Sequence, residues 1–256
     1  MLIDTHAHID FEDFDLKETL ANAQNSGVEK IIVPGVEPAT FDQLLSTVEK
    51  DDRLYGAIGV HPSEAQKYDD NAEKRIIEIL KNPKMVAIGE VGLDYYWDKS
   101  FVELQKEVFI KQIEIANEFN KPLIVHEREA HADAFDILKK YAKTKVLFHC
   151  FSGSVEFAKQ CIREGYKLAF GGVVTFKNAK TVKEVVKNIA LEHIMLETDS
   201  PYLTPEPYRG KRNEPAYVRF VAQKIAEIKE TSFEEVEKVT TDNAIEFFSL
   251  NEAQNE

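Results

Sequence analysis

Short apolar runs rich in β-branched residues alternate along this chain with longer stretches whose apolar positions recur at helical spacing. The runs predict strands at 2–6, 30–34, 54–60, 85–90, 122–126, 146–149, 167–171 and 194–199. The intervening pattern predicts helices at 16–26, 39–50, 72–81, 130–142, 155–164, 182–188 and 214–228. Two capping-box signatures, Ser100 with Glu103 and Ser232 with Glu235, each predict a further helix start. After the first of these, Val102, Phe109, Ile113 and Ala116 fall on one helical face. Eight strand–helix alternations within 256 residues predict an α/β chain folded as a (β/α)8 TIM barrel, a single domain over 1–256. The competing architecture, an open doubly wound sheet, places a glycine-rich phosphate loop after its first strand. Here that place holds Thr5-His6-Ala7-His8.

Composition narrows the setting. A hydrophobic content of 43% and a mean hydropathy of -0.34 are those of a soluble globular protein. No window reaches the roughly 18 apolar residues of a membrane helix, and no basic, apolar leader opens the chain. The two cysteines, Cys150 and Cys161, make no disulfide framework, so the expected location is cytoplasmic, with no membrane association. No obligate protein partner is evident. The net charge of -13 argues against a protein that coats duplex nucleic acid and requires any polyanionic substrate to be attracted locally.

The chemistry gathers at the predicted strand ends, where barrel enzymes place their active sites. His6 and His8 follow the first strand, His61 the third, Glu90 the fourth, His126 the fifth, His149 the sixth and Asp199 the eighth. Five of the seven histidines therefore converge on one rim. In an extended strand, His6 and His8 project to the same side. His61 precedes Pro62 and is read as lining the site rather than as a ligand. Glu197 is read as a supporting acid or an ion-pair partner. Cys150 points away if the strand runs through it, so packing is expected there. His131 and His193 are assigned no function. The nitrogen and oxygen donors suit Zn2+, Mn2+, Co2+ or Mg2+. Four histidines and two carboxylates exceed what one hydrolytic ion needs, so two ions sharing a carboxylate is the economical arrangement.

Thr-His-Ala-His-Ile-Asp, Gly-Val-His-Pro, Gly-Glu-Val-Gly-Leu-Asp-Tyr-Tyr, Pro-Leu-Ile-Val-His-Glu-Arg-Glu-Ala, Phe-His-Cys-Phe-Ser-Gly and Leu-Glu-Thr-Asp-Ser-Pro-Tyr-Leu resemble, in order, the motifs of the TatD family of metal-dependent hydrolases. Arg-Gly-Lys-Arg-Asn-Glu-Pro resembles that family's late loop. The resemblance implies a (β/α)8 barrel and a metal-dependent deoxyribonuclease acting from 3′ ends, with single-stranded DNA or 3′ ends as its substrate. It further implies His6, His8 and Asp199 on one divalent ion, His126 and His149 on a second, and Glu90 bridging. The ions would be Mg2+, Mn2+ or Zn2+. The sequence departs from the pattern at Ser63, where many relatives carry histidine, and at Glu127, where a small residue is expected.

On this reading Glu90 and Asp199 are catalytic, Asp199 by orienting water and accepting its proton. His61, Arg128, Arg209 and Arg212 are the expected substrate-binding residues. Lys211 reads almost equally as part of a solvated charge cluster. Phe151, Tyr95, Tyr96 and Trp97 are available to stack an unpaired base. The same ligands would also serve an amide, lactone or aminoacyl-ester hydrolase, and a non-catalytic metal-binding module is the third reading.

Overall fold

The computed structural model describes residues 1–11 and 14–250. The expected single unit over 1–256 thus includes 12–13 and 251–256, which lie outside the described residues. Eight strands form one sheet in sequential order: β1 (Leu2–Asp4), β2 (Val28–Pro34), β3 (Leu54–Ile58), β4 (Met85–Asp94), β5 (Leu123–Arg128), β6 (Val146–Phe148), β7 (Lys167–Phe170) and β8 (Ile194–Leu196). Every neighbouring pair is parallel. The helices are α1 (Leu16–Asn25), α2 (Phe41–Val48), α3 (Asp70–Ile79), α4 (Val102–Glu118), α5 (His131–Tyr141), α6 (Val155–Arg163), α7 (Lys180–Asn188), α8 (Val218–Lys229) and α9 (Phe233–Phe248).

Strand alternation creates two apolar layers. Ile3, Ile32, Ala57, Ala87, Ile124, Leu147, Ala169 and Met195, one from each strand, cluster inside the barrel. Leu2, Ile31, Ile58, Val125 and Leu168 belong to the cluster shared with the surrounding helices. Phe247 and Phe248 of α9 join the inner cluster. They seal the strands' N-terminal end, where Thr241 donates to the Met1 carbonyl at 2.7 Å and Asn243 to that of Ile194 at 2.8 Å.

The barrel closes beyond its first and last strands. Thr5 N donates to the Leu196 carbonyl at 3.0 Å, Asp199 N to that of His6 at 2.9 Å, and His8 N to that of Ser200 at 2.8 Å. An isolated bridge pairs Ala7 with Ser200. Buried Asp4 reinforces the seam by accepting from the Thr198 amide at 2.9 Å and its hydroxyl at 2.6 Å.

Several expected boundaries move. β1 ends at Asp4 and β8 at Leu196, so His6, His8 and Asp199 sit on the seam rather than on ladders. Ser232 caps α9 as expected, accepting from Glu235 N at 3.1 Å. Ser100 does not cap α4: the cap residue is Phe101, and the Ser100 amide is held by Asp98 Oδ1 at 2.8 Å in a turn before the helix. Among the described residues, no helix is long and apolar enough to cross a membrane.

Candidate metal centre

Glu90 is delivered by a defect in the strand that carries it. β4 pairs Ile88 with Leu123 but Val91 with Val125, so it spends one extra residue where Glu90 sits. Such a bulge re-aims a side chain while the ladder resumes beyond it. The flanking glycines therefore mark a continuous strand rather than a tight turn. Gly92 has φ 141°, and a Cβ there would lie 2.0 Å from the His126 carbonyl oxygen, so only glycine lets β4 approach the β5 backbone at His126 this closely.

The two oxygens of Glu90 serve two donor groups. Oε2 lies 3.3 Å from His6 Nε2 and 3.7 Å from His8 Nε2. Those nitrogens are 3.2 Å apart, and each is 3.7 Å from Asp199 Oδ1. Oε1 lies 2.8 Å from His126 Nδ1 and 2.9 Å from His149 Nε2, which are 3.3 Å from each other. Divalent ions bound to nitrogen at 2.0–2.1 Å need donor–donor edges of roughly 2.9–3.4 Å, depending on coordination number. Both groups have nearly that spacing, and His6, His8, Glu90 and His149 are buried. The residues fit a metal centre.

Their electrostatics agree. Burial pushes His6 down to about 4 and His8 down to about 3, leaving neutral imidazoles whose lone pairs are free to ligate. Burial would raise the Glu90 carboxyl, but His149, His61 and His6 outweigh it and hold the group well below the usual carboxylate range. Burial opposes the charged forms of His126 and His149, yet the surrounding carboxylates overcome it and raise both. Asp199 is pushed up to about 8 by burial. The clustered carboxylates and imidazoles thus call for positive charge, which protons supply when no cation does.

The supporting contacts include residues that sequence reasoning missed. Asp94 Oδ2 is 3.0 Å from His126 Nε2, while its Oδ1 accepts from the amides of Tyr96 at 2.9 Å and Trp97 at 3.4 Å. Asp94 stands four residues after Glu90, an even spacing that would have flagged it on the same strand face. Two buried glutamines of α4, seven residues apart, grip the strand ends. Gln112 makes both amide contacts with the Val60 backbone, at 2.7 and 3.1 Å, and Gln105 makes both with that of Asp94, each at 2.9 Å.

The structure brings His61 to the same site, its Nε2 3.5 Å from Glu90 Oε1. The Ser63 amide donates to His61 Nδ1 at 3.1 Å, and burial lowers the ring to about 3. The neutral ring therefore carries its proton on Nε2 and presents a donor to the cavity. That amide comes from the backbone and does not depend on the side chain at 63; what the departure to serine adds is a hydroxyl 2.8 Å from His61 Nδ1. Glu127, the other departure, accepts from Ala130 N at 2.6 Å and pairs with His131, bracing the start of α5.

A cavity of about 630 Å³ opens over these groups, lined by His8, His61, Glu90, Asp94, Trp97, His126, Arg128, His149, Asp199 and Tyr202, among others. Cys150 also lines it, correcting the expectation of packing: β6 stops at Phe148, and Cys150 turns out with φ 45° while Glu197 Oε1 accepts its amide at 2.6 Å. Glu197 Oε1 also lies 3.6 Å from His149 Nδ1.

Arg209 and Arg212 are not brought into this wall. Buried Asn213 pins their loop by donating to the Thr198 and Tyr202 carbonyls at 2.8 and 2.6 Å. Arg209 then lies 3.9 Å over the Phe176 ring, and Arg212 covers Phe14 and lines a separate cavity with Glu18, Lys211 and Glu214. Two of the expected stacking aromatics are also occupied: Phe151 is buried against Phe148 and Phe170, and Tyr95 Oη donates to Asp133 at 2.8 Å.

Comparison with known proteins agrees with this geometry. The family model described as TatD related DNase matches residues 3–249. The chain is 48% identical over 255 residues to the uncharacterized metal-dependent hydrolase YabD of Bacillus subtilis, covering 98% of this chain and 100% of that one. It is 36% identical to the uncharacterized metal-dependent hydrolase YcfH of Escherichia coli K12, covering 97% and 96%. The crystal structure of YJJV, a TatD homolog from Escherichia coli K12, superposes with a TM-score of 0.92 at 31% identity, covering 97% and 98% of the two chains. The chain belongs to the TatD family and is a metal-dependent hydrolase.

Proposed function

We propose that the protein hydrolyses phosphodiester bonds of DNA at single-stranded or 3′ ends, using two divalent ions, Mg2+, Mn2+ or Zn2+. The observation that carries this reading is the divided carboxylate of Glu90, one oxygen facing His6 and His8, which also neighbour Asp199, and the other facing His126 and His149. One donor group on each side of a shared acid suits in-line displacement at phosphorus. The family model's description as a DNase and the Arg128 guanidinium at the cavity mouth favour phosphate over carbonyl substrates.

Bound divalent ions supply Lewis acidity and lower the pKa of water to roughly 7. Asp199, its carboxylate beside His6 and His8, orients the attacking water and accepts its proton. His61 offers its Nε2 proton to a phosphoryl or leaving oxygen. Arg128 holds a non-bridging phosphate oxygen at the mouth.

End-labelled single- and double-stranded DNA and RNA, incubated with each metal beside a panel of esters and amides, test this reading. Metal-dependent release of mononucleotides supports it, and turnover of the ester or amide panel alone overturns it. Asp199→Asn should lower kcat by roughly 10²- to 10⁴-fold, the range of a lost general base. Full activity in that variant removes Asp199 from the role.

A further inference from the structure

The chain's exposed large apolar side chains are Met1, Tyr96, Trp97 and Tyr202 among the described residues. Three of these four meet at one place. Trp97, 72% exposed, and Tyr202, 55% exposed, both line the metal-site cavity, and the Tyr96 ring lies 4.9 Å from that of Trp97. Exposed aromatics gathered at the mouth of a polar, ion-binding cavity cost hydration unless something covers them.

The platform is rigid. Asp94 Oδ1 holds the Tyr96 and Trp97 amides, and the Tyr95 amide donates to the Arg128 carbonyl at 2.9 Å. Arg128 stacks 3.7 Å over the Tyr96 ring and lies 5.4 Å from that of Trp97. One aromatic face is thus already covered by a cation, while the indole stays open beside a positive charge. A flat, electron-rich ring carrying a phosphate is the ligand that satisfies both features. An apolar peptide would leave Arg128 unpaired, and a stacked base pair inside a duplex presents no free ring face.

We propose that Trp97 and the Arg128–Tyr96 stack form a subsite for one unpaired nucleobase at a nucleic-acid end, with Arg128 holding the adjoining phosphate. This inference rests on the proposed nuclease reading and deepens it by making an unpaired terminal base part of what is recognised. Tyr202 borders the same cavity and offers a second exposed ring to the neighbouring base.

The chain has one tryptophan, so its fluorescence reports on this position alone. Stopped-flow mixing of Mg2+-loaded protein with a single-stranded oligonucleotide should quench Trp97 emission before turnover. An oligonucleotide with abasic residues at both ends, or a blunt duplex, should leave the emission unchanged. In steady-state assays Trp97→Ala should raise KM for the natural strand by roughly 5- to 150-fold, with a smaller change in kcat, and Trp97→Phe should restore most of the loss. On the abasic-ended strand the penalty should shrink to about twofold. Equal quenching by natural and abasic strands, or an equal Trp97→Ala penalty on both, overturns the subsite while leaving the nuclease reading intact. Absence of turnover on any oligonucleotide, with hydrolysis of the ester or amide panel, overturns both.

Discussion

Asp94 sets which nitrogen of His126 carries a proton. The Asp94 carboxylate, which burial would raise but which bonds from His126 and Tyr96 hold below the usual range, accepts through Oδ2 from His126 Nε2 at 3.0 Å. Nε2 is therefore the protonated nitrogen, and Nδ1 is turned toward Glu90 and His149 as a donor atom for a cation.

Asp94→Asn tests this relationship with little change in shape. An amide side chain can keep accepting from the Tyr96 and Trp97 amides while offering N–H to His126 Nε2, which drives the imidazole proton to Nδ1. On the proposed two-ion reading, affinity for the ion on the His126–His149 side should fall roughly 10- to 100-fold. Metal analysis after dialysis should show one equivalent lost and the other kept, and 15N spectra of the metal-free variant should report the changed tautomer.

Removing metal should cost stability as well as activity. An ion held at about 100 times its Kd contributes about 2.7 kcal/mol. At this chain length that corresponds to a fall in Tm of about 5–10 °C per site on chelation. Calorimetry with and without EDTA checks this, and readdition of Mn2+, Mg2+ or Zn2+ should restore the loss.

Gly92→Ala should destabilise far more than Gly27→Ala. Both positions have positive φ, at 141° and 82°, but a Cβ at 92 meets the His126 carbonyl at 2.0 Å while a Cβ at 27 meets nothing within 4 Å. Backbone strain alone costs about 1–2 kcal/mol at 27, and about 4 kcal/mol or more is expected at 92. Denaturant titration of the two variants measures the difference.

The Glu127–His131 pair gives a pH signature that involves none of the candidate metal ligands. Glu127 raises the His131 pKa above its ordinary 6.5, so the pair's contribution is complete below 6.5 and disappears as pH rises through the folded-state value. The Tm gap between wild type and His131→Gln should therefore be wider at pH 5.5 than at pH 8.5. A gap that does not change with pH would assign the contribution to stacking on Phe157 instead.

Most of the barrel was legible because its strands and helices announce themselves by period, and the candidate ligands could be picked out because they punctuate strand ends. The site's finer construction was less so. The bulge that aims Glu90 depends on a one-residue difference between neighbouring strands, which no local pattern encodes. Asp94, Gln105 and Gln112 act through backbone and ring contacts that form only once β4 and α4 are packed together. That the arginines at 209 and 212 lie outside the cavity wall was not legible, because charge on a loop says where cations are available and nothing about which way the loop folds. Asn213 decides that, through two carbonyls it reaches only in the folded chain.

The seam joining the first and last strands has a consequence for how the molecule comes into being. His6 and His8 precede the rest of the donor set, yet Asp199, joined to His6 by a backbone hydrogen bond, emerges from synthesis more than 190 residues after them. A partly made or partly opened barrel holds only fragments of the donor set facing Glu90. The full donor cluster on that side is thus an end-point of assembly, complete only when the first and last strands have been joined.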